Sequence, residues 1–175
     1  MIQMDANLKI ILANRFDVIA WLLLVYSFWK NKDNKLLWIQ LLANVFFVLN
    51  YLFLDAYTGL WVVFFEMFRD YLYIKLDDDK KTFYISLPVY ALIGITNFEG
   101  FLSLFSIGAS LNDGYSLIYH GKRVVWLGII TYVLWLIYDL SVMSYVNALA
   151  EAIVVISNIT ILIVQKDEKK IIRRD

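Results

Sequence analysis

Cysteine is absent from the 175 residues, proline occurs once, at Pro88, and histidine once, at His120. Without thiols there can be no disulfide framework, thiolate metal site or cysteine nucleophile. A single histidine, placed in a predicted link, removes a His-ligated metal site and a Ser/His dyad from the apolar segments. No metal, cofactor or nucleic-acid partner is therefore expected. Charge is also sparse: 18% of residues are charged against 61% hydrophobic, too apolar for a soluble domain of this length. The lipid bilayer is the expected solvent and partner.

The opening MIQMDANLKIILANRF carries acidic and amide residues where a cleavable signal peptide would have a basic start. Residues 1–15 are read as a retained lead-in, either an amphipathic segment through Ile2, Leu8, Ile11 and Leu12 or the first turns of helix 1. Seven stretches then have the length and hydropathy of spanning helices. Helix 1 is expected from Phe16 to Trp29, helix 2 from Leu36 to Leu54, and helix 3 from Ala56 to Ile74. Helix 4, from Thr82 to Phe98, contains Pro88, tolerable where neighbouring groups satisfy the freed carbonyl. Helix 5 covers Phe101 to Ile118, helix 6 Val124 to Tyr138, and helix 7 Met143 to Val164, with residues 165–175 forming a charged cytoplasmic tail. The fold class is an all-α membrane protein.

Basic residues assign the orientation, because cytoplasmic links carry the excess of Lys and Arg. One side collects Lys30, Lys32, Lys35, Lys75, Lys80, Lys81, Lys122, Arg123 and the tail residues Lys166, Lys169, Lys170, Arg173 and Arg174; the other has only Lys9 and Arg15. The amino terminus is expected outside and the carboxyl terminus in the cytoplasm of a bacterial inner membrane.

Shifted by 85 positions, the chain lays helix 1 on helix 5, helix 2 on helix 6 and helix 3 on helix 7, with Phe16 on Phe101 and Glu66 on Glu151. Residues 16–76 and 99–164 thus read as two three-helix repeats, and 77–98 as the linker and linking helix 4. Two such units joined by one extra span must point the same way, which makes the repeat parallel, a 3+1+3 arrangement. That arrangement resembles the SWEET sugar transporters and the nicotinamide riboside carrier PnuC. Over nearly its whole length the chain is most similar to the YgjV family of bacterial inner-membrane proteins. The resemblance is carried by EMFRDYLYIK at Glu66 to Lys75, FLSLFSIGASL at Phe101 to Leu111 with Lys122 and Arg123 after it, and ALAEAIVVISNITILI at Ala148 to Ile163. The proline that kinks the first helix of each SWEET or PQ-loop repeat is missing from helices 1 and 5, which argues against SWEET-like rocking and against sugar as substrate.

Ionisable groups inside a bilayer are costly and are expected to face a partner or a wet cavity. In the parallel repeat Glu66 and Glu151 face each other across the pseudo-twofold axis, a carboxylate pair suited to a cationic or polyhydroxylated solute. The competing reading is local pairing, of Glu66 with Arg69 and of Glu151 with Asn147. Gly114, after Asn112 and Asp113, either loosens helix 5 there or marks its early end. Trp29, Trp38, Tyr57, Tyr119 and Tyr145 read as interfacial belts, whereas Trp61, Trp126 and Trp135 lie deeper, and Trp135 with Asn50 makes a candidate pocket wall.

The leading expectation is a transporter or facilitator of a small polar solute, with a midplane substrate-binding site of Glu66, Arg69, Asn112, Trp135, Glu151 and Asn158. The alternative is a non-transporting structural or assembly protein. An enzyme is not expected, since no nucleophile or metal cluster accompanies the two carboxylates. Homo-oligomerisation is left open.

Overall fold

Seven α-helices and no strand make up the described residues 5–29, 35–76 and 79–172 of the computed structural model. They are α1 (Ala6–Trp29), α2 (Lys35–Phe53), α3 (Tyr57–Leu76), α4 (Asp79–Thr96), α5 (Ser103–Ser116), α6 (Lys122–Ser141) and α7 (Tyr145–Ile172). α1 absorbs most of the expected lead-in, and α7 runs on through much of the charged tail. Pro88 lies inside α4 without ending it.

α1 packs on α2, α2 on α3, α3 on α5, α5 on α6, α6 on α7, and α7 back on α1, so these six close a ring. α4 stands outside it, in the notch between α3 and α5. α5 owes its tight seat to small residues: Ser103, Ser106, Ala109 and Ser110 are all buried.

The α2–α3 and α6–α7 turns are built alike. Leu54 N donates to Asn50 O, Ala56 N to Tyr51 O and Leu60 N to Ala56 O; Val142 N donates to Tyr138 O, Ser144 N to Asp139 O and Ala148 N to Ser144 O. Corresponding donors lie 88 positions apart, from 54 to 142, 56 to 144 and 60 to 148. Each turn carries one left-handed non-glycine residue, Asp55 (φ 55°) or Met143 (φ 65°). The following helix starts are also capped alike. Glu99 accepts from Tyr57 N (2.7 Å) and Thr58 N (2.9 Å), while Asn14 accepts from Val146 N (2.9 Å).

Where α3 meets α6, a Cβ on Gly59 would come within 2.7 Å of the Tyr138 ring and hydroxyl, and the Gly59 amide donates to that hydroxyl at 2.8 Å. Only glycine permits this approach.

The distribution of polarity is inverted relative to a water-soluble bundle. Asp17, Asn50, Arg69, Asp139, Asn147 and Glu151 are buried, whereas Leu22, Trp38, Ile95, Phe101, Trp126 and Leu149 face outward. By length and hydropathy alone, two helices clearly suffice to span a membrane, Lys122–Ser141 and Tyr145–Val164, and Trp38–Phe53 is a shorter apolar stretch. The other helices fall below that standard for visible reasons. α3 carries Glu66, Arg69, Asp70 and Lys75, and α5 has only 14 residues.

Candidate functional site

The ring encloses a cavity of about 430 Å³, within the range of small-molecule sites. Its wall combines three carboxyls, Glu66 of α3, Asp113 of α5 and Glu151 of α7, with the rings of Trp21, Phe47, Tyr51, Tyr132 and Trp135. Gln40, Asn44, Thr131 and Asn147 supply neutral polar groups, and among the described residues no lysine, arginine or histidine reaches the lining. The α3 and α7 walls each contribute two residues one turn apart, Val63 with Glu66 and Glu151 with Val154.

The three acids are held differently. Glu66 accepts a short hydrogen bond from Ser110 Oγ. Asp113 accepts from Arg69 Nη2 at 2.8 Å. Glu151 is 6% exposed and pairs with the carboxyl of Asp139. Two buried carboxyls set together need a proton or a cation between them.

Arg69 stands behind this wall. Its guanidinium donates to Asp70 (3.1 and 3.2 Å), Asp113 (2.8 Å), Ser110 O (3.0 Å) and Tyr90 OH (3.3 Å), so its donors are committed to α3, α4 and α5. Gly114 gives it room, since a Cβ there would lie 3.3 Å from Nη1. α5 continues through Gly114, whose carbonyl accepts from Tyr73 OH at 3.1 Å, so the residue neither loosens nor ends the helix.

A second polar cluster closes the cavity toward the face that holds the α1 start and the α2–α3 turn. Asp17 Oδ2 accepts from Asn50 Nδ2 (2.6 Å) and Ser144 Oγ (2.8 Å), and Asp139 accepts from Tyr51 OH (2.7 Å). Trp21 Nε1 donates to Asn147 Oδ1 at 2.8 Å. One buried seam thereby joins α1, α2, α6 and α7.

Of the six residues expected from sequence, Glu66, Trp135 and Glu151 line the cavity. Arg69 stays outside the lining, bonding Asp113 and acting on Glu66 by its charge. Asn112 is turned away, donating to Leu127 O (2.7 Å) and Thr131 Oγ1 (2.8 Å), and so fastens α5 to α6. Asn158 lies against Gly128 of α6, outside the lining. The expected local pairs do not form, because Arg69 bonds Asp70 and Asp113 rather than Glu66, and Asn147 serves Trp21. Asn50 belongs to the Asp17 cluster rather than to a wall with Trp135, and Trp61 and Trp126 face outward. Sequence reasoning passed over Trp21, Tyr51, Tyr132, Asp17 and Asp139.

The model of one protein family, Imp-YgjV, described as a bacterial inner membrane protein, matches residues 11–169. No curated protein and no solved structure matches the chain.

Proposed function

We propose that this chain, which belongs to the Imp-YgjV family of bacterial inner membrane proteins, is a carrier or facilitator that moves a small solute through the cavity between two three-helix halves. The observation that carries the reading is a cavity lined by Glu66, Asp113 and Glu151 inside a bundle whose outer surface is apolar. Buried acids are expensive in such a setting, and a solute-binding space gives them a use.

In this reading all seven helices span. The chain forms two like-oriented halves, α1–α3 and α5–α7, with α4 reversing direction between them, as in SWEET-like carriers. The matching turns, the paired caps and the order of contacts around the ring support that symmetry. The amino terminus lies outside, because the basic links and tail lie on the opposite side. Lys9, one of two basic residues on the outer side, is matched by Asp55 at 2.6 Å. In this reading the site binds a solute and does no chemistry on it.

The test is flux. Protein reconstituted in liposomes should transport at least one member of a panel of amines, nucleosides, vitamins and sugars. Glu151→Gln should abolish that flux while leaving purification yield and oligomeric profile unchanged. No flux across the whole panel would favour an assembly partner, and undiminished flux in the variant would remove Glu151 from the mechanism.

A further inference from the structure

We infer that the cavity selects an organic cation, a protonated or quaternary amine carrying a flat or compact apolar body, over polyhydroxylated and anionic solutes. The inference rests on the carrier reading for its biological use, but the binding chemistry stands on the lining itself. Glu151 is more than nine-tenths buried, contributes to the cavity surface, and is set against the carboxyl of Asp139, a buried acid pair whose charge no basic side chain among the described residues contacts. Glu66 faces the same space from α3, one turn further from the turn that begins its helix.

Among the described residues no protein cation acts on Glu151, and Glu66 feels only Arg69, which stands behind the wall without bonding it. Arg69, the nearest guanidinium, spends its donors on Asp70, Asp113, Ser110 O and Tyr90 and stays outside the lining. A positive charge facing Glu151 from inside the cavity must therefore arrive with the ligand. An anion would meet carboxyls with no counter-charge in the wall.

The rings weigh toward a cation with an apolar body. Tyr51 and Trp135 stack with centroids 6.1 Å apart at 21°, and Trp21 and Tyr132 also face the cavity. Aromatic faces attract cations, most strongly where water is excluded, whereas a polyol needs several donors and acceptors in step. Here the indole N–H of Trp21 and the hydroxyl of Tyr51 are already donated to Asn147 and Asp139, so these two rings offer a ligand no free donor.

The experiment is equilibrium binding to purified full-length protein in detergent, with benzyltrimethylammonium as the probe. Its neutral isostere neopentylbenzene, the anion benzoate, and glucose serve as comparators. The cation should bind saturably, and the comparators should bind at least about tenfold more weakly. Glu151→Gln and Trp135→Leu should each weaken the cation by about tenfold, while Leu149→Ala, on the outer face, should not. Comparable binding of glucose or benzoate, absence of cation binding to the wild-type protein, or cation binding unchanged in both Glu151→Gln and Glu66→Gln would overturn the inference. Liposome flux separates the two readings. Saturable cation binding without flux supports this inference and removes the carrier, whereas flux of a neutral or anionic solute without cation binding supports the carrier and overturns the inference.

Discussion

Asp17 illustrates how a single side chain governs the end of this bundle. Its Oδ2 receives two buried donors from different helices, Asn50 on α2 and Ser144 at the start of α7. Removing the acceptor strands both donors, and an unsatisfied buried polar group costs about 1–3 kcal/mol. Asp17→Ala should therefore lower thermal stability in detergent by several degrees, and Asp17→Asn, which retains one acceptor oxygen, should lower it less. Equal melting temperatures for wild type and Asp17→Ala would mean that the seam contributes nothing to stability. Asp17 and Asp139 were hard to recognise in sequence because each lies at a predicted helix end, where an acid normally meets water. Glu66 and Glu151 were legible for the opposite reason, being embedded in long apolar runs. Trp21 and Tyr51 carry no such mark. An aromatic in a membrane helix is equally at home against lipid, and only the packed ring distinguishes Trp135, buried, from Trp126, exposed.

At the level of elements, existence was readable and register was not. Seven helices follow from the apolar runs and the basic links, with most boundaries shifted by a few residues, though α1 starts ten residues before Phe16 and α7 ends eight after Val164; the starts of α3 and α7 depend on the caps Glu99 and Asn14, distant in sequence. The 85-residue shift pairs those two caps, from 14 to 99, yet the turns that follow them correspond at 88. A slip of three residues leaves a helix about 60° short of a full turn, so apolar faces still coincide and the slip escapes notice in the sequence. At the turn register Glu151 corresponds to Val63, and Glu66 to Val154. The two glutamates therefore enter the cavity at staggered heights rather than directly opposed. The same neighbourhood supplies a packing test. Gly59→Ala would drive a methyl into Tyr138, whose ring packs on Tyr51 and Trp135. Overpacking of this kind costs about 1–3 kcal/mol. Tyr138→Leu in the same chain should recover part of that loss, giving a coupling of the two substitutions in thermal unfolding that independent sites would not show.

For the whole molecule, the decisive quantity is which ends share a side of the membrane. An odd number of spans puts the amino and carboxyl termini on opposite sides, and two like-oriented halves require it. If α4 lay along the surface instead, α5 to α7 would invert, and the basic links would no longer gather on one side. The absence of native cysteine makes the question directly accessible, because each introduced thiol is the only one present. Asn7→Cys, Phe98→Cys and Tyr145→Cys, all at exposed positions near the ends of α1, α4 and α7, should react with a membrane-impermeant maleimide in cells whose inner membrane is intact. Lys80→Cys and Lys122→Cys, at the opposite ends of α4 and α6, should react only after permeabilisation. Labelling of Asn7→Cys and Lys122→Cys from the same side would leave an even number of spans between them, and with that the proposed pair of like-oriented halves would be lost.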